Sequence, residues 1–265
     1  MKTIYYYQTF IGLDKLMTHL DDVDVIIIAS IHFDKLHGKP QIYLNDNLPT
    51  DKKFDEMWTQ THKASSQNTT ILLMVGGAGG AYQDLFSDFE GNYKLLKELL
   101  EEKTWIQGID LDIEETVKLE DVQMLMDRLI KDFGKDFILT MAPVASSLEN
   151  DGGGMGGFNY KQLYKSPQGR YIRWFNTQCY DSFSLSTYNT IINNGYPAEK
   201  IVIGMESGQF DDRNFKNALH EVQKIKNMYP KMAGVYDWEY FNAPPSKDDP
   251  SLWCRLFKNI KMKKD

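Results

Sequence analysis

Three acidic residues alternate with three aliphatic residues in the stretch 107–114, which reads QGIDLDIE. Asp110, Asp112 and Glu114 share one parity, so a β-strand would place their carboxyl groups on one face and the aliphatic side chains on the other. Charges crowded together away from water must be paired or partly protonated. Crowding by the two aspartates is therefore expected to hold Glu114 protonated near neutral pH, as a general acid requires.

Two other interpretations of this stretch stay open. The acids could face water on an edge strand, although the flanking pattern is that of a central strand. They could also bind a metal ion, because hard cations take carboxylate oxygens. The five histidines of the chain show no paired metal-ligand spacing.

The remainder of the chain alternates between strand-like and helix-like segments. Strands are predicted at residues 3–8, 23–30, 71–75, 107–114, 137–142, 175–180, 201–205 and 232–238, with a small extra strand at 41–44 after a turn at 37–40. Helical segments are predicted at residues 13–20, 54–65, 92–102, 119–133, 160–174, 185–193, 214–228 and 252–261.

Eight strands that alternate with about eight helices predict an α/β fold, namely a single (β/α)8 TIM barrel over residues 1–265. An open doubly wound sheet is the alternative. Only residues 206–231 separate the last two predicted strands, and the helix predicted at 214–228 fills most of that interval. We therefore expect one domain, without an inserted α+β domain.

The composition is that of an ordinary globular protein, and the formal net charge of −7 argues against a nucleic-acid partner. The chain runs from Met1 almost directly into a strand, without a signal-like or membrane-spanning apolar segment. As written, we expect a cytoplasmic monomer, or a secreted one if a signal was removed. Cys179 and Cys254 are expected to be buried thiols.

The residues that end the predicted strands matter most, because a barrel of this kind carries its chemistry there. Gln178 and Tyr180 share inward parity near the end of the sixth strand. Taken alone, Tyr180 is a packed aromatic residue with a satisfied hydroxyl group. Trp238 ends the eighth strand, where it is either a plug or a platform for the apolar face of a sugar ring.

Four further residues are candidates for the pocket. Gly76 and Gly77 follow the third strand, where glycine lets backbone or ligand approach closely. A phosphate cradle is the rival interpretation, but no Gly-Lys-Ser/Thr follows. Met141, on the fifth strand, either lines the pocket or fills the core, and Tyr6 on the first strand is a candidate wall.

The stretch 107–114 resembles the signature DGxDxDxE of the family 18 glycoside hydrolases, the chitinases and endo-β-N-acetylglucosaminidases. It matches at every fixed position except the first, where Gln107 replaces an aspartate far from Glu114. Strand six, which ends QCYD, resembles the plant, fungal and endoglycosidase branch, with Asp181 in the place of the family's Asp or Asn.

The resemblance extends over nearly the whole chain. Gly76 and Gly77 resemble the family's Ser-x-Gly-Gly turn, with Met74 in place of the serine. The sequence MAP that begins at Met141 is also similar. Trp238 resembles the tryptophan that forms the floor of the −1 sugar subsite.

The resemblance implies substrate-assisted catalysis without a metal or organic cofactor. Glu114 would protonate the leaving oxygen and later activate water, while the substrate's acetamido oxygen attacks C1. Asp112 would bind the acetamido N–H group, Asp110 would hold Asp112 and share its proton, and Tyr180 would align the acetamido carbonyl. Gln178 and Asp181 are expected near the substrate.

The implied function is a retaining hydrolase of β-1,4-linked N-acetylglucosamine, in chitin or chitooligosaccharides. Cleavage of the N-glycan core chitobiose is the alternative within this class. A non-catalytic glycan-binding lectin and a metal-dependent phosphohydrolase are alternatives of other classes. Loops at residues 76–89 and 146–158 are expected to wall a shallow groove, and the glycine-rich part of the second is expected to be mobile.

The resemblance also implies a non-proline cis peptide bond between Trp238 and Glu239. A second is expected between His32 and Phe33.

Overall fold

Eight parallel strands close into a barrel in the computed structural model, which describes residues 1–261. β1 pairs in parallel with both β2 and β9, which closes the barrel, and β3 adds to it as an antiparallel ninth strand. The strands are β1 Lys2–Tyr7, β2 Val25–Leu36, β3 Lys39–Leu44, β4 Thr70–Gly76, β5 Gly108–Asp112, β6 Ile138–Met141, β7 Ile172–Gln178, β8 Ile201–Glu206 and β9 Gly234–Trp238.

Helices connect successive strands of the barrel and cover its outside. They are α1 Asp14–Met17, α2 Asp55–Ser66, α3 Tyr82–Ser87, α4 Phe89–Glu102, α5 Leu119–Phe133, α6 Ala145–Glu149, α7 Tyr160–Lys165, α8 Leu185–Asn193, α9 Phe215–Met228 and α10 Ser251–Lys258. The prediction of a single (β/α)8 TIM barrel is confirmed. Among residues 1–261, no helix has the length and apolar character needed to cross a membrane.

Two layers of core result from the alternation of side chains along each strand. Ile26 and Ile28 of β2 pack outward, in the large cluster between the barrel and its helices. Val25 and Ile27 of the same strand point inward, into a second cluster that fills the barrel. Because the interior is filled, chemistry is confined to the rim where the strands end.

The strand β2 extends beyond the rim and folds back as β3. It is 12 residues long, and it pairs with β3 through a tight turn at His37 and Gly38, which have φ values of 50° and 76°. Positive φ at both turn positions is the geometry that matches the twist of a two-stranded hairpin. The extra strand is therefore confirmed, although it begins at Lys39, inside the predicted turn.

Two predicted loops contain short helices. α3 lies within residues 76–89, and α6 lies within residues 146–158 apart from its first residue. They have six and five residues, so their apolar periodicity is too short to separate from that of a loop. The interval between β8 and β9 holds α9 and a 3-10 helix at Ser207–Gln209.

The peptide bond between Trp238 and Glu239 is cis, as expected. The second expected position was wrong, because the cis bond lies between Ala29 and Ser30 instead. That bond falls where the pairing of β2 with β4 shifts register, between Ile28 and Ile31.

Candidate active site

Asp110 lies in the barrel interior with no exposed surface. Its Oδ2 accepts a hydrogen bond from the Tyr6 hydroxyl at 2.6 Å, and its Oδ1 accepts from Thr140 Oγ1 at 2.5 Å and Asn176 Nδ2 at 3.0 Å. Burial raises the pKa of Asp110, and these three donors oppose the rise. The side chain is therefore held from β1, β6 and β7.

Asp112 lies one step nearer the rim and is 5% exposed. Burial, followed by the charges of Glu114 and Asp110, raises the pKa of Asp112 well above its usual range. A hydrogen bond with Glu114 adds to the rise. Asp110, Asp112 and Glu114 together form an acidic row, and the two aspartates are its more deeply buried members.

Glu114 lies two residues beyond the last residue of β5 and is partly exposed. Gln178 lies beside it at the end of β7. The side-chain Nε2 of Gln178 is 3.2 Å from Asp112 Oδ1, 3.3 Å from Glu114 Oε1 and 2.8 Å from the carbonyl oxygen of Ala142. One amide group thus joins the two outer acids to the main chain at the end of β6.

Tyr180 contacts Tyr236, and Tyr6 contacts both Tyr236 and Trp238. The Tyr236 hydroxyl donates to the Tyr180 hydroxyl at 3.2 Å, and burial raises the pKa of Tyr180 well above its usual range. Tyr180 therefore keeps its proton at neutral pH and can donate a hydrogen bond. Trp238 is partly exposed at the end of β9, and its ring lies 5.3 Å from that of Tyr6.

Two glycines let the β4 loop approach the acids. The φ angles of Gly76 and Gly77 are 98° and 89°, which favour glycine. A Cβ atom at Gly76 would lie 2.2 Å from the main-chain oxygen of Asp112 and 2.6 Å from the Tyr82 ring. Gly77 donates its N–H to the same oxygen at 2.9 Å. The close-approach interpretation of this pair agrees with the geometry.

The family model described as glycosyl hydrolases family 18 matches residues 2–248. The chain belongs to this family. It is accordingly a glycosidase. The residues of its signature form the acidic row at the end of β5.

Solved structures of family 18 members superimpose on nearly the whole chain. A fungal endo-β-N-acetylglucosaminidase has 28% sequence identity and a TM-score of 0.86, with 98% of each chain covered. A chitinase from Aspergillus fumigatus has 29% identity and a TM-score of 0.83, with 93% of this chain and 94% of that chain covered. A search among curated proteins gives no match.

A more distant structure shares the fold alone. It is a class V chitinase from Nicotiana tobaccum in complex with NAG4, an E115Q mutant in that protein's own numbering. It has 10% identity and a TM-score of 0.62, with 97% of this chain and 98% of that chain covered.

Two residues predicted at the pocket are buried in this family 18 chain. Met141 has no exposed surface and packs in the outer layer between strands and helices, so its assignment to the pocket was wrong. Thr140 points inward to Asp110, and strand alternation then turns Met141 outward. Tyr6 is 2% exposed, and it lies between the Asp110 carboxylate, to which it donates, and the ring of Trp238.

Three polar residues of the site are absent from the sequence-based prediction. Thr140 and Asn176 are buried donors to Asp110, and Tyr236 is a buried donor to Tyr180. A polar side chain at inward parity in a buried strand is the signal that could have found them. Asp181 lies exposed at the rim, where its Oδ1 accepts from Gln209 Nε2 at 3.2 Å.

A cavity of about 850 Å³ opens at the ends of β1, β2 and β4. His32, Tyr43 and Gly80 are among its lining residues, and His32 Nδ1 lies 2.6 Å from the Gly80 carbonyl oxygen. A smaller cavity of about 290 Å³ contains Trp238. Both include Gln8 and Thr9, so the two spaces adjoin along the end of β1.

Glu239 fixes this shared wall. Its carboxylate accepts from the main-chain N–H groups of Gln8 and Thr9 at 2.9 and 3.1 Å, and from the Thr9 hydroxyl at 2.5 Å. In the part of the chain that the structure describes, no group of three or more His, Cys, Asp and Glu side chains is arranged to hold a metal ion. Cys179 and Cys254 are buried free thiols that form no disulfide bond.

Proposed function

We propose that this protein, as a single catalytic domain, hydrolyses β-1,4 bonds of N-acetylglucosamine oligosaccharides by substrate-assisted catalysis with retained configuration. The observation that carries the proposal is the row of Asp110, Asp112 and Glu114, which rises from the barrel interior to the rim beside Tyr180. Its outermost member, Glu114, is the most exposed of the three.

Glu114 acts first as a general acid and then as a general base. It gives a proton to the glycosidic oxygen, the bond from that oxygen to C1 breaks, and the acetamido oxygen of the same sugar forms a bond to C1. The product is a cyclic oxazolinium ion. Water then gives a proton to Glu114 and forms a bond to C1, on the face from which the leaving group departed. The bond from the acetamido oxygen to C1 breaks in the same step, so the acetamido group is regenerated and the β configuration is restored.

Asp112 orients the acetamido group in this mechanism. Its carboxyl group lies between Asp110 below and Glu114 above, and burial with these neighbours favours its protonated form. As positive charge develops on the acetamido nitrogen, Asp112 accepts the N–H and shares its proton with Asp110. The three donors to Asp110 keep that partner in a fixed orientation.

Tyr180 and Trp238 hold the reacting sugar. The Tyr180 hydroxyl already accepts from Tyr236, so its own proton is available for the acetamido carbonyl. The partly exposed indole of Trp238 offers a flat face for the apolar side of the pyranose ring. Gln178 keeps Asp112 and Glu114 together.

Cleavage of the N-glycan core chitobiose is the second candidate. It is favoured by the fungal endo-β-N-acetylglucosaminidase, whose structure covers 98% of this chain with a TM-score of 0.86. The same catalytic residues serve both substrates, and the loops around the cavities decide between them. Sugar binding without catalysis is disfavoured by the presence of Glu114 at the rim.

Product analysis on chitotetraose beside a high-mannose glycopeptide tests the proposal and ranks the two substrates. Proton NMR of the first products is expected to show the β anomer, and a glucose tetramer without acetamido groups is expected to stay intact. Glu114→Gln should lower turnover by at least about 10²–10⁴-fold, because it keeps the shape and loses the transferable proton. Early α-anomeric product, or turnover of the variant within about threefold of the parent, would contradict the proposal.

A further inference from the structure

Glu115 follows the general acid of the proposed mechanism and turns its carboxylate the other way, toward the loop after β4. Its Oε1 accepts the main-chain N–H groups of Ala81 and Tyr82, the second at 2.5 Å, and its Oε2 accepts that of Gln83 at 3.2 Å. These are the first donors of α3, which no carbonyl within the helix can satisfy. One partly buried carboxylate therefore joins two loops of the rim.

The same loop is also held at its other end. Gly77 donates to the main-chain oxygen of Asp112 at 2.9 Å. The loop 77–83 is thus attached twice to the segment 112–115, once on each side of Glu114. The attachment at Glu115 is close, since a Cβ atom at Gly80 would lie 2.9 Å from the carboxylate oxygens.

Glu114 needs such a support because it lies outside the sheet. The ladder of β5 ends at Asp112 on the β4 side and at Leu111 on the β6 side. Beyond Glu115, the carbonyl oxygen of Thr116 accepts from Gln83 Nε2 at 3.4 Å, and the N–H of Val117 donates to Gly156 at 3.0 Å. Between these points, Glu115 makes the charge-assisted contacts that fix the path of the backbone.

We propose that Glu115 is a positioning residue for proton transfer by Glu114. The inference rests on the proposed function, in which Glu114 protonates the leaving group. Proton transfer depends steeply on geometry, and a displacement of about 1 Å can cost about 10²-fold in rate. Glu115 touches neither substrate nor reacting atoms in this scheme. It acts by holding the peptide that carries Glu114 against the β4 loop.

This role predicts a dependence on the leaving group. A sugar hydroxyl is a poor leaving group and requires the proton, whereas dinitrophenolate departs with little help from an acid. Loss of Glu115 should therefore slow hydrolysis of chitotetraose and spare hydrolysis of 2,4-dinitrophenyl β-chitobioside. A merely structural role would reduce both rates together, because fewer molecules would be folded.

The experiment compares kcat/KM for the two substrates in the parent, Glu115→Ala and Glu115→Gln, because kcat/KM reports the steps through departure of the leaving group and not the later attack of water. We expect Glu115→Ala to lose about 10²-fold on chitotetraose and to stay within about threefold on the dinitrophenyl substrate. Glu115→Gln keeps an acceptor oxygen and should recover part of the loss. The matched control is Glu221→Ala, because Glu221 accepts the Leu185 N–H at 2.8 Å at the start of α8, away from the site. It should change neither rate.

Equal losses on both substrates in a folded Glu115 variant would overturn the inference, as would no loss on either. If Glu115→Ala does not fold, Glu115→Gln decides by the same ratio of rates, and a ratio equal to that of the parent counts against the role. Glu114→Gln separates the two proposals. If it also shows no dependence on the leaving group, the proposed function fails; if it does and Glu115 variants do not, the failure concerns Glu115 alone.

Discussion

Tyr6 and Asp110 are joined across the barrel interior by a hydrogen bond of 2.6 Å from the phenol hydroxyl to Oδ2. Tyr6 is on β1 and Asp110 is on β5, so the bond spans strands that are not neighbours in the sheet. Burial and the neighbouring carboxyl groups of Asp110 and Asp112 raise the pKa of Tyr6 well above its usual range. The Tyr6 hydroxyl group therefore keeps its proton and donates it in the hydrogen bond to Asp110. The acidic row therefore has a fixed base.

We predict that Tyr6→Phe shifts the acid limb of the pH–rate profile to higher pH. The substitution removes one of three donors that favour the charged form of Asp110, so the pKa of Asp110 should rise further above its usual range. A neutral Asp110 cannot take up the proton of Asp112. Profiles of kcat/KM against pH should show this shift and a loss of about tenfold at the optimum.

Tyr93→Phe is the matched control for this prediction. Tyr93 donates to Asp132 at 2.9 Å, which is the same kind of bond outside the site. Its loss should affect stability and leave the pH–rate profile in place. An unshifted profile for Tyr6→Phe would mean that Asp110 does not take part in the proton balance of the row.

We predict that Asp112→Asn inactivates the enzyme and stabilises its fold at neutral pH. The pKa of Asp112 is raised in the folded protein, so the folded state keeps a proton that the unfolded chain releases above about pH 4. The free energy of unfolding of the parent must then fall as the pH rises from that value. Asparagine does not titrate, and the variant lacks this decline.

Urea unfolding at about pH 4 and about pH 7 measures the effect, as the difference in free energy between variant and parent. The gain should be larger at the higher pH. Asp132→Asn is a control of opposite sign, because donation from Tyr93 and the charges of Lys97 and Arg128 outweigh burial and lower the pKa of Asp132. A variant at position 112 that is less stable than the parent at both pH values would contradict the prediction.

The acidic row could be predicted from sequence because side chains alternate between the two faces of a strand with a fixed period of two. Residues at every second position therefore share a face, which places all three carboxyl groups together. The parity of β6 could not be decided in the same way. Thr140 and Met141 are both buried, and only the contact of Thr140 with Asp110 shows which of them points inward. The partners of Glu115 lie 32 to 34 residues earlier in the chain, a separation at which no local pattern operates.

We predict that Gly76→Ala strongly destabilises the fold and that Gly79→Ala does not. Both positions have φ near +100°, which costs an alanine about 1–2 kcal/mol. At Gly76 the added methyl group would also meet the main-chain oxygen of Asp112 at 2.2 Å, whereas nothing lies within 4 Å of it at Gly79. With overpacking included, Gly76→Ala should lose about 2–5 kcal/mol.

Thermal or urea unfolding of the two variants checks this comparison, since the penalty of backbone conformation is common to both. The activity of Gly76→Ala should also fall. The added methyl group would displace the loop whose Gly77 N–H donates to the main-chain oxygen of Asp112. Equal losses of stability in the two variants would show that the contact with Asp112 relaxes freely.

We predict weak processivity and higher activity on soluble oligomers than on crystalline chitin. The hairpin of β2 and β3 rises beside the larger cavity, but the connection from β8 to β9 holds α9 and one 3-10 turn, so no inserted domain walls the groove there. Trp238 and the exposed Phe241 leave few aromatic contacts along that side. A polymer chain that is released after each cut must bind again, and it can do so in any register along its length. Products from chitin should therefore show a low ratio of dimers to odd-numbered oligomers. A high and constant dimer ratio, with faster release of sugar from crystalline chitin than from chitotetraose, would refute the open groove as the determinant of substrate form.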